Sequence, residues 1–171
     1  MSSRKRLDAI FSLTAARSAG IDSYESGSVP FVTSAEDNNG VVGYVKPLDG
    51  DLVFEGPSIA ISGLGHATVH LRQFLPKGNG GDSLTVLTPR SPRRVEELVA
   101  AAAAFNATHK WRFSFGRKCS VGRLEQLELE WPLPSVAPTW RNETAVLKHL
   151  QDIVSVCLDS PTTRAATERD N

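Results

Sequence analysis

Between Lys110 and Leu124 the chain places five bases, Lys110, Arg112, Arg117, Lys118 and Arg123, and no acid. Clustered ammonium and guanidinium groups are what phosphate binding requires, because each neutralises a backbone charge and releases a counterion. A solvated cationic face is the plainer reading of the same run. The planar fork of Arg117 suits either a phosphate or a guanine edge, whereas Arg112, Lys118 and Arg123 suit phosphate. Asn38 and Asn39 stand before Gly40. An Asn amide can pair with adenine, but both residues also suit a tight turn. In Ser62-Gly63-Leu64-Gly65, glycine lets backbone amides approach a phosphate, with His66 as a lesser neighbour. A plain loop is the alternative there.

Catalytic chemistry needs a constellation, and the sequence offers none. It holds no glycine-rich phosphate loop between a strand and a helix, no Asn-Pro-Pro-aromatic motif, and no carboxylate pair followed by Glu-x-Lys. His66 and His70 have the spacing of neighbours on a helix, but Gly63, Gly65 and Val69 predict turn and strand, so no metal is expected. Cys119 lies beside Lys118, which favours a thiolate. No histidine-plus-acid arrangement accompanies it, so a partly buried structural cysteine is expected. The only cysteines, Cys119 and Cys157, give neither a disulfide framework nor a zinc spacing. These residues predict a non-catalytic chain.

The 171 residues, 40% hydrophobic and 22% charged, suit one globular domain with a real core and room for a docking appendage. No stretch approaches 18 consecutive apolar residues, so no membrane span is expected. Met1–Leu13 is basic and then mildly apolar, but Asp8 interrupts it and no small-residue cleavage site follows. The expectation is a cytoplasmic protein without a leader. Net charge is zero, yet the charges are segregated: eight acids against three bases over residues 20–85, and eight bases against two acids over 86–123. Segregation allows a cationic face on a neutral molecule.

The elements that must position these groups are mostly short. Leu7, Ile10, Phe11 and Leu13 make a pattern too brief to assign as helix or strand. Gly27–Val32 and Val41–Val45 read as strands, and Asp37-Asn38-Asn39-Gly40 as the hairpin between them, since Asn and Gly tolerate positive φ. Further strands are expected over Ser58–Ser62, Thr68–Leu71 and Leu84–Leu87, with loops at Gly63–Gly65 and Gly78–Gly81. Ser91 as cap and Pro92 in the first turn open a helix, with Glu96 and Glu97 at the positive end of its dipole. Its apolar stripe is Val95, Leu98, Val99, Ala102 and Phe105, and the alanines from 100 to 104 let it lie close to a sheet. Trp111–Phe115 alternates aromatic with polar and predicts a half-buried strand. Ser120–Gln126 suits one helical turn. Leu127, Leu129 and Trp131 alternate with Glu128 and Glu130 as another strand, ended by Pro132 and Pro134. A last helix over Asn142–Leu158 is amphipathic, and a polar, disordered tail is expected from Ser160. The sum is α+β: a largely antiparallel set of short strands, one internal helix and a C-terminal amphipathic helix.

Four ordered blocks carry a resemblance. Leu7–Leu13 with Gly20, then Gly27–Val45, then Ile59–Gly65 with Asp82–Pro89, and finally Lys110–Lys118 with Arg123–Leu127 and Pro132–Pro134 resemble the target-recognition domains of Type I restriction–modification specificity subunits and their BcgI-like relatives. The likeness spans roughly residues 7 to 140. Specificity subunits of this family usually hold two recognition domains separated by long helices, and this sequence holds one. The resemblance implies a single domain over 1–140 with a curled sheet, a docking helix over 141–159 and a tail over 160–171. It implies sequence-specific binding of double-stranded DNA by Asn38, Asn39, Ser62, Gly63, His66, Arg112, Arg117, Lys118 and Arg123. Catalysis, S-adenosylmethionine and magnesium would then belong to a separate DNA methyltransferase subunit and a nuclease subunit. The face of Leu147, Leu150 and Val154 would dock that methyltransferase or a second copy of the chain as a half-subunit, with packing on its own domain as the alternative. A protein-interaction module, decoy or inhibitor, on the same fold without DNA binding is the other reading.

Overall fold

Ser58, Ile59, Ala60 and Ile61 are all buried, as expected of a strand covered on both faces. They form the centre of the computed structural model, which describes residues 3–79 and 83–131. The expected helix with Leu147, Leu150 and Val154, the tail, and Gly80, Gly81, Asp82, Pro132 and Pro134 lie outside the described residues. The described strands are β1 (Ser3–Arg6), β2 (Phe11–Ala15), β3 (Ser26–Val32), β4 (Val41–Val45), β5 (Ser58–Ile61), β6 (Ala67–His70), β7 (Leu75–Pro76), β8 (Thr85–Pro89) and β9 (Glu128–Trp131). The helices are α1 (Leu7–Ile10), α2 (Val95–Thr108) and α3 (Val121–Leu124).

The strands form a four-stranded sheet in the order β2-β8-β5-β6, a three-stranded sheet β4-β3-β7 and a β1-β9 pair. Every pairing is antiparallel except the short β3–β7 one. The architecture is α+β, with α2 on one face of the central sheet. The two-residue period of a strand decides which side chain goes where. Ile59, Ile61 and Leu87 point into a cluster with Leu98, Ala101, Ala102 and Phe105 of α2. Ala60 and Val86, one residue out of phase, enter a second cluster with Val32 and Phe74 under the smaller sheet. In β9 the alternation expected from sequence holds, with Leu129 and Trp131 buried and Glu128 and Glu130 exposed.

The internal helix forms with Leu98, Ala102 and Phe105 of the expected stripe facing inward, but it starts later and Ala101 replaces Val95 and Val99 on that face. Its N-cap is Arg94, with no side-chain cap, so Ser91 and Pro92 precede it. The Arg90 amide donates to the Ile10 carbonyl at 3.0 Å and its Nε to the Asp8 carbonyl at 2.8 Å, which ties this stretch to the α1–β2 segment rather than to a helical turn. The inward stripe is Leu98, Ala101, Ala102 and Phe105, while Val95 and Val99 are exposed. The alanines do allow close approach, since Ala101 and Ala102 are both buried against the sheet.

Strand β6 is an edge, and its outward backbone groups need partners. Two asparagines supply them. The Ala67 amide donates to Asn106 Oδ1 at 2.8 Å, and Asn106 Nδ2 donates back to the Ala67 carbonyl at 2.9 Å. Two residues on, the Val69 carbonyl accepts from Asn39 Nδ2 at 2.8 Å. Asn39 sits at the tip of the β3–β4 hairpin, where Asn38, Asn39 and Gly40 take φ of 45°, 54° and 77°. The hairpin read from Asp37–Gly40 is therefore present, and its tip is bonded to the edge of the central sheet.

Removing the Asn106 amide leaves two groups of buried Ala67 without their partner. Asn106→Ala should destabilise the fold by about 1–3 kcal/mol in urea melts, and a change below about 0.5 kcal/mol would contradict the closed-edge account. Acid should destabilise as well. His70 is buried, stacked on Phe74 at 4.4 Å between ring centroids, with Nε2 2.9 Å from Thr68 Oγ1. Burial pushes its pKa down to about 4, and burial also lowers those of His66 and His109. The unfolded chain thus binds the proton more readily. Stability from His70 is complete above about pH 6.5 and falls towards pH 4, by up to about 1.4 kcal/mol per pH unit. His70→Gln should flatten the pH dependence of the melts over that window; a slope equal to that of the wild type would refute the assignment.

Candidate nucleic-acid interface

The cationic segment is an excursion from the end of α2, rooted at two points on one tight turn. In that turn the Ser62 amide donates to the His66 carbonyl at 2.9 Å, the Gly65 amide to the Ser62 carbonyl at 2.8 Å, and the His66 amide to Ser62 Oγ at 3.1 Å. Gly65 has φ +81°, and a Cβ there would stand 2.5 Å from the Phe113 ring, so glycine is required both for the backbone and for the space. Phe113 packs over it, within the same cluster as Phe105. The Cys119 amide donates to the Gly63 carbonyl at 2.7 Å. Phe113 and Cys119 thus pin the middle of the excursion, which runs from Lys110 to Arg123, and residues 114–118 project between them.

The half-buried strand expected over Trp111–Phe115 does not form. Lys110–Arg112 closes as one 3-10 turn, and the Phe113 amide donates to the Lys110 carbonyl at 3.1 Å. Ser114 and Arg117 then exchange amide–carbonyl bonds of 3.2 and 2.9 Å across Phe115 and Gly116. A strand would need a neighbouring backbone, and the nearby edge of β6 is already closed by Asn39 and Asn106. The break in period leaves only Phe113 inside. Trp111 is 75% and Phe115 81% exposed. Sequence reasoning missed both, because identical spacing would bury all three rings if the segment were extended; Gly116 was the one local sign of a turn.

The cations are arranged on these turns. The Arg112 guanidinium lies 5.1 Å from the Trp111 ring centroid, and Lys118 Nζ 5.3 Å from that of Phe115, distances at which the ring face attracts the charge. Arg123, from α3, donates to the Lys118 carbonyl and braces the loop. Arg112, Arg117 and Arg123 are exposed and Lys118 is half-buried. Among the described residues, neither Arg112 nor Arg117 is in an ion pair. Lys110 is different: its Nζ pairs with Glu36 Oε2 at 2.7 Å, which ties the excursion to the loop before the hairpin tip. That partner holds the Glu36 carboxyl below its usual range.

The structure brings Arg112, Arg117, Lys118 and Arg123 onto one excursion, with Asn38, Asn39 and His66 on adjoining turns. Asn38 Nδ2 donates to the Val41 carbonyl at 2.9 Å inside the hairpin, and Asn39 Nδ2 is the bond to β6. Ser62 and Gly63 are buried, and the bonds above close their turn upon itself, which corrects the expectation of an open phosphate cradle there. His66 is half-buried; burial first and Lys110 second lower its pKa, so it is neutral at pH 7 and adds no charge. Burial pushes the Cys119 thiol up to about 12, against a small opposing pull from Arg123. A thiol raised that far stays in its neutral, weakly nucleophilic form at pH 7. No group of three or more His, Cys, Asp or Glu side chains suited to a metal occurs among the described residues. No helix among them is long and apolar enough to cross a membrane.

No family model and no curated protein matches the sequence. Solved structures do match. The chain is similar to the Type I restriction–modification system S subunit from M. genitalium, with TM-score 0.57 and 14% identity over 76% of this chain and 34% of that one. It is similar to the HsdS subunit from Thermoanaerobacter tengcongensis, with TM-score 0.59 and 16% identity over 95% and 41%. A third match, from a structure describing complex assembly and conformational transition of the type I R-M system, has TM-score 0.58 and 19% identity over 98% and 41%. The chain therefore has the fold of part of a Type I restriction–modification S subunit, spanning between 34% and 41% of the length of the subunits it matches.

Proposed function

We propose that this chain binds double-stranded DNA sequence-specifically as the recognition component of a restriction–modification system. The observation that carries the reading is the rooted excursion with Arg112, Arg117, Lys118 and Arg123, on a fold shared with S subunits. Guanidinium and ammonium groups on a fixed root meet phosphates without much loss of freedom on binding, and phosphate contacts set the register in which base edges are read. Arg112, Lys118 and Arg123 suit phosphate, and Arg117, whose planar fork also fits a guanine edge, is taken with them as the fourth phosphate contact. Asn38 and Asn39 each commit one side-chain N–H to a backbone carbonyl, which leaves the second N–H and the side-chain oxygen of each for a base edge at that tip. Methylation, with its S-adenosylmethionine, belongs in this reading to a separate methyltransferase subunit, and cleavage with magnesium to a nuclease subunit. Leu147, Leu150 and Val154, outside the described residues, are in this reading the contacts for the methyltransferase or for a second copy acting as the other half-subunit.

The test is an anisotropy titration with duplex DNA at several salt concentrations. Four phosphate-gripping cations imply a slope of log K against log salt of about −3.6, so affinity should fall about a hundred-fold between about 50 and 200 mM salt. Arg117→Ala combined with Lys118→Ala should weaken binding to all sequences and reduce that slope by about 2, with an unchanged melting temperature. A flat salt response, or an affinity untouched by the double variant, would rule out this surface as the DNA contact. A chain that co-purifies with a methyltransferase while the complex ignores DNA would support the decoy reading instead.

A further inference from the structure

Phe115 is the most exposed large apolar side chain among the described residues, at 81%. It occupies, with Gly116, the apex of the turn closed by Ser114 and Arg117, and among the described residues nothing beyond its chain neighbours lies within 4 Å of the position where a Cβ on Gly116 would stand. The ring is held outward by a root that cannot collapse. Phe113, two residues before it, is buried parallel to Phe105 at 6.4 Å between centroids, and Cys119, four residues after it, is bonded to Gly63. Leaving a phenylalanine in water rather than burying it costs on the order of 2 kcal/mol, and here the geometry of the turn offers it no refuge.

What surrounds the ring indicates its partner. Arg117 follows it by two residues, and the Lys118 ammonium stands 5.3 Å from its centroid. An apolar pocket on a protein would have to strip water from those cations in order to take the ring. A duplex meets both demands in one place, because it offers a stack of aromatic faces for the ring and phosphates on each side for the charges. Resting on the DNA-binding reading above, we propose that Phe115 is a wedge that enters between adjacent base pairs, while Arg117 and Lys118 hold the flanking phosphates. Part of the sequence preference then comes from deformability rather than base contacts. The step entered should be a pyrimidine–purine step such as TA or CA, where unstacking costs least.

The wild-type full chain is used to enrich duplexes from a randomised pool, and 2-aminopurine is placed at successive positions of the enriched duplex. Wild type should raise 2-aminopurine fluorescence at one pyrimidine–purine step. Phe115→Ala should abolish that rise and weaken binding about ten-fold, with the salt slope and melting temperature unchanged, because the ring touches no phosphate and no core. Phe115→Leu keeps apolar bulk and should retain part of the rise. An equal rise in wild type and Phe115→Ala overturns the wedge and leaves DNA binding standing. A Phe115→Ala chain that binds DNA like wild type but no longer co-purifies with a methyltransferase subunit also overturns it, assigning the ring to a protein contact. Failure to enrich any duplex removes the DNA-binding reading and the wedge with it.

Discussion

The constraint on which the rest depends is the outward edge of β6. Its backbone groups at Ala67 and Val69 face away from β5 and would otherwise offer a pairing surface to any passing strand. Asn106 answers Ala67 in both directions and Asn39 answers Val69. Each asparagine brings its own element with it. Asn106 fixes the far end of α2 against the sheet, and Asn39 fixes the tip of the β3–β4 hairpin. The chain leaving α2 must then start beside that tip, which is why Lys110 reaches Glu36 and why the cationic excursion and the hairpin share a neighbourhood.

The same arrangement separates rigid parts from solvent-facing ones. Phe113 and the Cys119 amide sit on the Ser62–His66 turn, whose Ser62, Gly65 and His66 amides are bonded within it. The charges of Arg112 and Arg117 lie beyond it, exposed. A packed, hydrogen-bonded root with its charges on an exposed rim is how a loop can present side chains in fixed positions without burying charge. It also explains why Ser62 and Gly63 serve this site as its foundation and do not line it.

Much of this was legible in the sequence where the determining interaction is local. The hairpin was read from Asn-Asn-Gly because positive φ is a property of those residues themselves, and β9 from its alternation because two faces with different burial impose that period. The edge contact of Asn39 with Val69 could not be read, since thirty residues separate them and nothing in either residue names the other. The start of α2 was misread for a similar reason. Ser91-Pro92 carries the local chemistry of a helix start, but Arg90 is engaged by Ile10 and Asp8 from elsewhere, so tertiary bonds override the local preference. In Trp111–Phe115 the aromatic period suggests a strand, but the segment closes on itself in two successive turns beside an edge of β6 that already has partners in Asn39 and Asn106.

Zero net charge is compatible with a cationic rim because acids and bases are segregated along the chain and several bases at the junctions already have partners. Glu36 neutralises Lys110, Asp8 neutralises Arg6, and Glu97 takes up Arg93 and Arg94. These pairs sit at junctions between segments or along the start of α2, where they fix geometry, and being largely exposed each adds little stability. Among the described residues Arg112 and Arg117 are left outside this accounting, on the excursion that the junctions position. A cation withheld from internal pairing keeps its full field for an external anion, and within a Debye length of about 8 Å at physiological salt that local field, and not the sum over the chain, is what an approaching phosphate meets. Composition alone therefore understates such a surface: what matters is which bases the fold declines to pair.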